Sequence, residues 1–242
     1  MPADEPGAPP PEVTVVLPAH NEEEILATTV AEVAAGLRSR GTAFEVIIVE
    51  NGSRDRTLEI ARGLAAVHPE LVVLTTPAAD YGQALRRGLR AAQGDVVVNF
   101  DVDYYDLSFF DHAVAMIRAG RAGIVVGTKR GDGAQDDRPW PRRVVTGGFS
   151  WILRSAFGLK ASDTHGMKAL DRARLTPLAE RCQLGADLFD TELVLRAERE
   201  GIVVAELPVQ VVELRPARSP ITRRIIRTIV GLRRLRHALR HP

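Results

Sequence analysis

The run VVVNFDVDYYD at Val96–Asp106 indicates the fold of this chain. Its β-branched start predicts a buried strand, and it ends in two carboxylates, Asp101 and Asp103, one residue apart. In open α/β sheets, ligands bind just beyond the carboxyl ends of the strands. Alternate residues of an extended chain point the same way, so we expect both carboxylates to reach one point and hold a divalent cation. The alternative is a polar turn that closes the strand.

Strands and helices alternate along the chain before this run. The pattern predicts buried strands at Val13–Leu17, Phe44–Val49 and Leu71–Thr75, and helices at about Glu23–Arg40, Thr57–Val67 and Tyr81–Ala92. Polar loops follow the first two strands. This alternation predicts a doubly wound, mostly parallel α/β sheet with right-handed crossovers. The polar loops and the aspartate pair then lie along one rim, where a cleft of nucleotide size is expected.

The pattern is less regular in the second half. We expect a helix at Phe109–Ala119, a strand at Gly123–Thr128 and a mobile loop at Lys129–Pro141. An amphipathic segment at Arg142–Phe157 and a polar turn at Asp163–Met167 should follow. The last predicted elements are a second helix at Ala186–Glu200 and an edge strand at Val203–Val212. The mobile loop could serve as a lid over an active site. Pro208 interrupts the last strand and places it near an edge of the sheet.

Length and composition predict one sizeable domain. The chain has 242 residues, of which 45% are hydrophobic and 26% charged. We expect a disordered leader at 1–11, the α/β domain at 12–218 and an amphipathic helix at 219–242. A lone Cys182 excludes an internal disulfide and is expected to be a buried structural thiol in a cytoplasmic protein. No stretch reaches the roughly 18 apolar residues of a membrane span.

Positive charge is concentrated at the end of the chain. Arg215–Arg240 contains nine arginines and no acidic residue. Apolar residues recur there at steps of three or four, at Ile221, Ile225, Ile229, Leu232, Leu235 and Leu239. This pattern predicts a basic amphipathic helix that holds the protein peripherally on an anionic membrane surface. A helix packed on its own domain is the alternative. Nucleic acid is not expected as a partner, because no nucleic-acid motif or aromatic platform accompanies the arginines.

Five motif blocks occur in the order seen in a known family. They are Val15–Glu22, Val49–Thr57, Gly94–Asp95 with Asp101–Asp103, Val126–Lys129 and Phe189–Leu193. In this order the chain resembles family-2 glycosyltransferases of the GT-A fold, most closely the dolichol-phosphate (polyprenyl-phosphate) mannosyltransferases. The resemblance covers most of the chain, from Val13 to Arg218.

The resemblance implies an inverting, metal-dependent transfer of a hexose from a nucleotide-diphosphate sugar, GDP-mannose or a UDP-sugar, to a polyprenyl phosphate at the cytoplasmic face of a membrane. It implies Mg²⁺ or Mn²⁺ as cofactor, and it leaves a membrane-protein partner open. The catalytic residues it implies are Asp101, Asp103, Lys129 and Arg142, with the metal on the two aspartates. The implied nucleotide-sugar residues are Pro18, Ala19, Asn21, Glu22, Glu50, Asn51, Ser53, Asp80, Gln83, Asp101 and Val102, and the implied acceptor residues are Lys129, Arg142, Thr146, His165 and Asp190.

The chain departs from the family pattern at several positions. Glu50 and Asn51 stand where the family usually has two aspartates, so the contact to the base is altered. Tyr105 replaces a frequent glutamine ligand, for which Asp106 is a candidate substitute. His165 lies in an altered turn. Two alternatives therefore stay open, a glycosyltransferase with a soluble acceptor and a non-catalytic GT-A-like binding subunit. Asp190 and its neighbour Glu192 could also be ordinary surface charges.

Overall fold

The computed structural model describes residues 10–128, 151–164, 166–185, 188–209 and 231–240. These residues form a seven-stranded sheet in the order β3-β2-β1-β4-β6-β5-β7. The strands are β1 Val13–Ala19, β2 Phe44–Asn51, β3 Leu71–Thr76, β4 Val96–Asn99, β5 Ile124–Thr128, β6 Lys168–Asp171 and β7 Val204–Pro208. The helices are α1 Leu26–Ser39, α2 Thr57–Val67, α3 Tyr81–Ala91, α4 Leu107–Arg118, α5 151–157, α6 Arg172–Arg181, α7 Phe189–Arg199 and α8 231–238.

The first four strands run parallel and fix the position of the rim. β1 lies between β2 and β4, with Ala19 beside Glu50 and Val16 beside Asn99. Because parallel strands end at the same edge of a sheet, the loops after all four strands meet there. The predicted parallel α/β sheet is confirmed.

Two apolar layers cover the two faces of the sheet. Alternate residues of β2 illustrate the division, since Val46 and Ile48 belong to one layer and Ile47 and Val49 to the other. The first layer packs against α1 and α4, and the second against α3, α6 and α7. Successive side chains of a strand point to opposite faces, so a segment buried on both sides is apolar at consecutive positions, as Val46–Val49 of β2 is.

One strand and one helix lie at 168–181, between the predicted polar turn and the predicted helix at Ala186–Glu200, where the sequence pattern predicted no element. β6 pairs antiparallel with both β4 and β5, and α6 follows it directly. Four residues are too few to give a clear periodicity, which is why β6 was not predicted. The strand brings a buried lysine, Lys168, next to the end of β4.

Several predicted boundaries are shifted. α1 begins at Leu26 rather than Glu23, and α7 begins at Phe189 rather than Ala186. β2 continues two residues beyond Val49. β7 lies at an edge of the sheet and ends at Pro208, as expected for a strand that contains proline.

Cys182 is buried, as predicted. Its thiol donates to the carbonyl oxygen of Leu178 at 3.3 Å. Burial raises the pKa of the Cys182 thiol to about 12, and the charge of Glu192 acts in the same direction. The thiol is therefore protonated at neutral pH and is a packing group rather than a nucleophile.

α8 packs on its own domain, which was the alternative to membrane insertion. Leu235 and Ala238 are buried, and Leu232 and Leu239 pack against the second core layer. The buried guanidinium of Arg196 on α7 donates to the carbonyl oxygen of Ala238 at 2.9 Å. Within 231–240, the apolar side of the helix is thus occupied by the protein, and the prediction that these leucines insert into a membrane is wrong.

The outer side of α8 remains basic. Arg233, Arg234 and Arg236 are exposed on the helix, and Arg240 is exposed in the turn that follows it. Among the residues that the structure describes, no helix is both long and apolar enough to cross a bilayer. The predicted leader, apart from residues 10 and 11, and the tail from 210 to 230 lie outside the described residues.

If α8 belongs to the core, Leu235→Ala should lower the free energy of unfolding by about 2–5 kcal/mol, because a fully buried leucine is replaced by a cavity. Arg234→Ala, one residue earlier and exposed, is the matched control and should change it by less than about 0.5 kcal/mol. Urea unfolding monitored by circular dichroism measures both. Equal, small effects would show that α8 is not part of the folded core.

Candidate active site

Asp101 and Asp103 lie on a tight turn that follows β4. The N–H of Asp101 donates to the carbonyl oxygen of Tyr104, and the N–H of Tyr104 donates back to Asp101, both at 3.1 Å. β4 itself ends at Asn99. The extended-chain alternation that we used to bring the two carboxylates together is therefore wrong here, because these reciprocal bonds reverse the chain.

Val102, between the two aspartates, anchors this turn. Its side chain is buried in the first core layer, and its carbonyl oxygen accepts a hydrogen bond from the Thr29 hydroxyl at 2.7 Å. Asp101 and Asp103 on either side are only half-buried. Because the middle residue is fixed in the core, the turn holds both carboxylates on a rigid support at the rim.

The aspartate pair fits a hard divalent cation, since carboxylate oxygens are the ligands that Mg²⁺ and Mn²⁺ prefer. Across the described ranges, no group of three or more His, Cys, Asp or Glu side chains could hold a metal ion. Of the described residues, the pair would supply two carboxylate ligands, and oxygens of a bound diphosphate or water could complete the coordination.

Two neighbours of the pair have other roles. Asp106 is the N-cap of α4, and its carboxylate accepts from the N–H groups of Ser108 at 2.7 Å and Phe109 at 3.1 Å. Both capping bonds use Oδ1 and account for the position of the side chain, and its role as a substitute ligand stays a prediction. The hydroxyl of Tyr105 donates to the carboxylate of Glu32 on α1.

A chain of hydrogen bonds joins the loops after β1 and β2. His20 Nδ1 donates to the carbonyl oxygen of Asn51 at 2.8 Å, and its Nε2 accepts from Asn21 Nδ2 at 3.0 Å. Asn21 Oδ1 in turn accepts from the N–H of Arg54 at 2.9 Å, and the N–H of Asn21 donates to the Ser53 hydroxyl at 3.1 Å. Asn21 has a φ of 55°, in the left-handed region that asparagine tolerates. The two loops therefore form one rigid unit.

Glu50 and Asn51 are strand residues rather than loop residues. Both are buried, because β2 extends past Val49. Asn51 Oδ1 accepts from the Thr76 hydroxyl and from the N–H of Asp80, each at 2.8 Å. Asn51 thus ties the end of β2 to the end of β3 and to the start of α3.

A cleft of about 460 Å³ opens between these loops. It is lined by His20, Asn21, Gly52, Arg54, Pro77, Ala78 and Ala79. Gly52 has a φ of 65°, and a Cβ there would lie 2.9 Å from the backbone of Ala78. Only glycine permits this close approach of the two walls.

Other predicted nucleotide residues border the same rim. Pro18 and Ala19 are the last residues of β1, and Glu22 lies in the loop that follows. Asp80 is the N-cap of α3, where it accepts from the N–H of Gln83 at 3.0 Å. His20, Gly52 and Arg54 were not among the predicted site residues, although they adjoin residues that were.

A buried ion pair lies behind the aspartate turn. Lys168 Nζ is 2.8 Å from Asp190 Oδ2, and it also donates to the carbonyl oxygen of Gly166 at 2.7 Å. Lys168 is fully buried, and the Asp190 side chain is 7% exposed. The pair therefore joins β6 to the first turn of α7.

A second buried contact extends this polar cluster. Asn99 Nδ2 donates to the Tyr81 hydroxyl at 2.7 Å. Burial raises the pKa of Tyr81 well above its ordinary value, and the charges of Asp190 and Asp101 act in the same direction, so the hydroxyl keeps its proton. Asn99 Oδ1 and Asp190 Oδ1 are buried and accept no hydrogen bond from any described residue. They are two acceptors that a ligand could use.

The alternative interpretation of Asp190 and Glu192 as surface charges is wrong. Glu192 is fully buried, accepts from the N–H groups of Gln183 and Leu184, and pairs with Arg196 at 2.8 Å. Both carboxylates lie in the first turn of α7, where the helix dipole also favours negative charge. Sequence alone shows the charges but not the packing that buries them.

The predicted acceptor residues lie largely outside the described residues. This applies to Lys129, Arg142, Thr146 and His165. Asp190 is the one predicted acceptor residue with a described position.

The chain belongs to glycosyl transferase family 2, whose signature matches residues 14–175. Glycosyltransferase AglD of Haloferax volcanii is 34% identical over 203 residues, which are 82% of this chain and 32% of AglD. The undecaprenyl-phosphate 4-deoxy-4-formamido-L-arabinose transferase of Pseudomonas paraeruginosa is 35% identical over 55% of this chain and 40% of that protein. The chain thus spans well under half the length of both. A dolichyl-phosphate beta-glucosyltransferase of Trichomonas vaginalis is 28% identical over 86% of this chain and 66% of the length of that protein.

Solved structures share the fold. Glucosyl-3-phosphoglycerate synthase from Mycobacterium tuberculosis, in complex with UDP, superposes with a TM-score of 0.67 and 23% identity, over 91% of this chain and 79% of that one. The mannosyltransferase PcManGT from Pyrobaculum calidifontis, in complex with GDP-Man and Mn²⁺, superposes with a TM-score of 0.65 and 24% sequence identity. The match covers 96% of this chain and 68% of that one. Both are GT-A glycosyltransferases, so the predicted GT-A fold is confirmed.

Lys168→Met should lower the free energy of unfolding by about 3–5 kcal/mol, because it leaves the Asp190 carboxylate buried without its partner. The same change at exposed Lys160 is the matched control and should cost less than about 0.5 kcal/mol. Adding Asp190→Leu to Lys168→Met should recover part of the loss. Chemical unfolding at neutral pH measures all four proteins, and equal costs at the two lysines would contradict a buried ion pair.

Proposed function

We propose that this protein transfers a hexose from a nucleotide-diphosphate sugar to a polyprenyl phosphate, with inversion at the anomeric carbon and release of the nucleoside diphosphate. The observation that carries the proposal is the placement of the Asp101–Asp103 turn at the same rim as the cleft between the β1 and β2 loops. A nucleoside in the cleft and a diphosphate at the aspartates are the two parts of one donor molecule.

The donor would be held by groups that are already fixed. The loops that contain Asn21 and Ser53 are joined by hydrogen bonds, so they can bind a base and ribose without being ordered first. Asp101 and Asp103 would hold Mg²⁺ or Mn²⁺, which supplies charge stabilisation for the leaving diphosphate when bound. Without a cation, each carboxylate would repel a phosphate charge 4 Å away by about 1–4 kcal/mol, so the pair requires the metal.

The sugar would lie against the buried polar cluster behind the turn. Asn99 Oδ1 and Asp190 Oδ1 are acceptors with no described donor, and the Tyr81 hydroxyl keeps its proton. Hexose hydroxyls can donate to such acceptors, and a buried acceptor left unpaired costs about 1–3 kcal/mol. Lys168 holds Asp190 in place, so we assign Asp190 to a hydroxyl of the sugar or the acceptor.

A phosphate acceptor requires little acid–base chemistry from the protein. A polyprenyl phosphate is already an oxyanion near neutral pH, so positioning rather than proton abstraction would carry the step. By resemblance, Lys129, Arg142 and Thr146 are the candidate ligands of that phosphate, and His165 is a candidate contact to donor or acceptor. Arginine suits this role because its planar fork matches phosphate oxygens.

Two observations support a lipid acceptor. Two relatives are named for undecaprenyl-phosphate and dolichyl-phosphate chemistry. The outer side of α8 and the turn after it carry four exposed arginines, which would attract the anionic surface where such a lipid resides. Attachment would then be peripheral and electrostatic, on the cytoplasmic face, and a membrane-protein partner is compatible with it.

Asp103→Asn should nearly abolish turnover while leaving the melting temperature unchanged, because it removes a metal ligand at the rim without opening a cavity in the core. Exposed Asp95→Asn is the control and should retain activity. The assay uses purified protein, Mn²⁺ or Mg²⁺, labelled UDP- and GDP-sugars and polyprenyl phosphate. Turnover with water-soluble acceptors only would overturn the lipid assignment, and full activity of Asp103→Asn would overturn the catalytic one.

Binding to anionic vesicles should decrease steeply with added salt, because the Debye length is only about 8 Å at physiological ionic strength. Replacing Arg233, Arg234 and Arg236 together by glutamine should remove about 1 kcal/mol of binding per charge and leave the fold intact, since all three are exposed. Vesicle sedimentation measures this, with phosphatidylcholine vesicles as the control. Equal binding to neutral and anionic vesicles would contradict an electrostatic attachment.

A further inference from the structure

Residues 182–185, between α6 and α7, form a loop that is fixed to α7, and we call it the 182–185 loop. The fully buried carboxylate of Glu192 accepts from the N–H of Gln183 at 3.0 Å and from the N–H of Leu184 at 2.8 Å. The same carboxylate is held by the buried guanidinium of Arg196 at 2.8 Å. The backbone of the loop is therefore bonded to a group that is itself immobile in the core.

Arg86, on α3, holds the start of the same loop from the other side. Its guanidinium donates to the carbonyl oxygen of Cys182 at 2.7 Å. The guanidinium also lies 5.6 Å from the centre of the Phe189 ring, which is within the range of a cation–π contact. The 182–185 loop cannot move away from α3 without breaking these contacts.

The end of the loop packs against Asp80, the N-cap of α3. A Cβ at Gly185 would lie 2.3 Å from Asp80 Oδ2 and 3.0 Å from its Cγ and Oδ1. On the side of the helix, Asp80 Oδ1 accepts from the N–H of Gln83 at 3.0 Å. Because only the hydrogen atom of glycine leaves room at position 185, the loop and the helix together restrict the orientation of the carboxylate.

Asp80 lies between the cleft and the aspartate turn. It directly follows residues 77–79, which line the cleft. The next residue, Tyr81, accepts from Asn99 Nδ2 at the end of β4, two residues before Asp101. A donor with its base in the cleft and its diphosphate at the turn would therefore pass Asp80 with the part that joins them, which is the ribose.

A ribose and a carboxylate are complementary. The ribose of a nucleoside diphosphate carries two neighbouring hydroxyl groups, at C2′ and C3′. A carboxylate has about four acceptor sites, so Asp80 can keep its bond to Gln83 and also accept from a hydroxyl of a ligand. Hydrogen bonds to an ionised acceptor are about twice as strong as neutral ones, and they weaken steeply when the acceptor is turned away.

We infer that Asp80 accepts from the ribose of the donor and that Gly185 is the residue that positions it. Gly185 acts only through Asp80, because the missing side chain leaves the carboxylate in its observed orientation. This assignment rests on the proposed function, since it takes one donor molecule to span the cleft and the turn. It gives the loop before α7 a role in donor binding.

The test is to measure by calorimetry the dissociation constants of UDP and GDP and of their 2′,3′-dideoxy forms, each with Mn²⁺. Wild-type protein should bind the ribonucleotide at least about tenfold more tightly than its dideoxy form, because the carboxylate loses its bonds to the ribose. Gly185→Ala should reduce this ribose preference to within about twofold, because the added methyl group displaces the carboxylate. Gly63→Ala is the matched control and should keep the preference, since a Cβ there meets nothing within 4 Å.

Gly185→Ala should remain folded, because the clash is with the end of a flexible side chain. Its melting temperature should fall by only about 2–4 °C, which corresponds to loss of the N-cap bond. Asp80→Ser, which retains a capping residue, should also remove the ribose preference. In that background, adding Gly185→Ala should change the dissociation constants by less than about twofold, because the two residues act as one unit.

A second pair of variants tests the support of the loop. Arg86→Gln removes the bond to Cys182 from a partly buried side chain and should reduce the ribose preference by about threefold. Arg87→Gln changes the exposed neighbour on the same helix and should leave the preference unchanged.

A wild-type protein without a ribose preference would overturn the inference and leave the proposed function standing. So would a preference that persists in folded Gly185→Ala. If Gly185→Ala does not fold, Arg86→Gln decides, and an unchanged preference there would overturn the inference. Failure of both UDP and GDP to bind would overturn the proposed function together with the inference.

Discussion

The parallel pairing of β1 with β2 on one side and β4 on the other is the constraint on which the site depends. Its register places Ala19 beside Glu50 and Val16 beside Asn99, so the three strands end at the same edge of the sheet. Each loop that leaves this edge is then fixed by a buried side chain or a hydrogen bond from a neighbour. Val102 anchors the aspartate turn in the core, and Asn51 ties two strands to the start of α3.

The general layout of the site could be predicted from sequence, because it follows from periodicity and from the ends of strands. Alternating apolar runs and polar loops define a parallel sheet, and a parallel sheet brings its loops to one rim. This was sufficient to place Asp101 and Asp103 with the β1 and β2 loops. The argument from an extended chain was wrong in detail, since Asp101–Tyr104 form a turn, which the sequence DVDY does not distinguish from a strand end.

Long-range contacts account for what could not be predicted. Lys168 follows the predicted polar turn, and only the pairing of β6 with β4 shows that this lysine meets Asp190 on α7. Glu50 and Asn51 read as loop residues because they are polar, yet they are buried and bonded within the sheet. The basic helix α8 has the periodicity of a membrane-binding helix, and the same periodicity serves its packing against the domain, so sequence cannot separate the two.

The central claim is that one donor molecule spans the cleft and the aspartate turn. A crystal structure of the protein grown with UDP and Mn²⁺ tests it most directly. The account predicts the base between the His20 and Ala78 walls, beside Asn51, and the metal about 2.1 Å from oxygens of Asp101 or Asp103 and of the diphosphate. A nucleotide bound elsewhere, or a diphosphate with no metal between it and these carboxylates, would contradict the account.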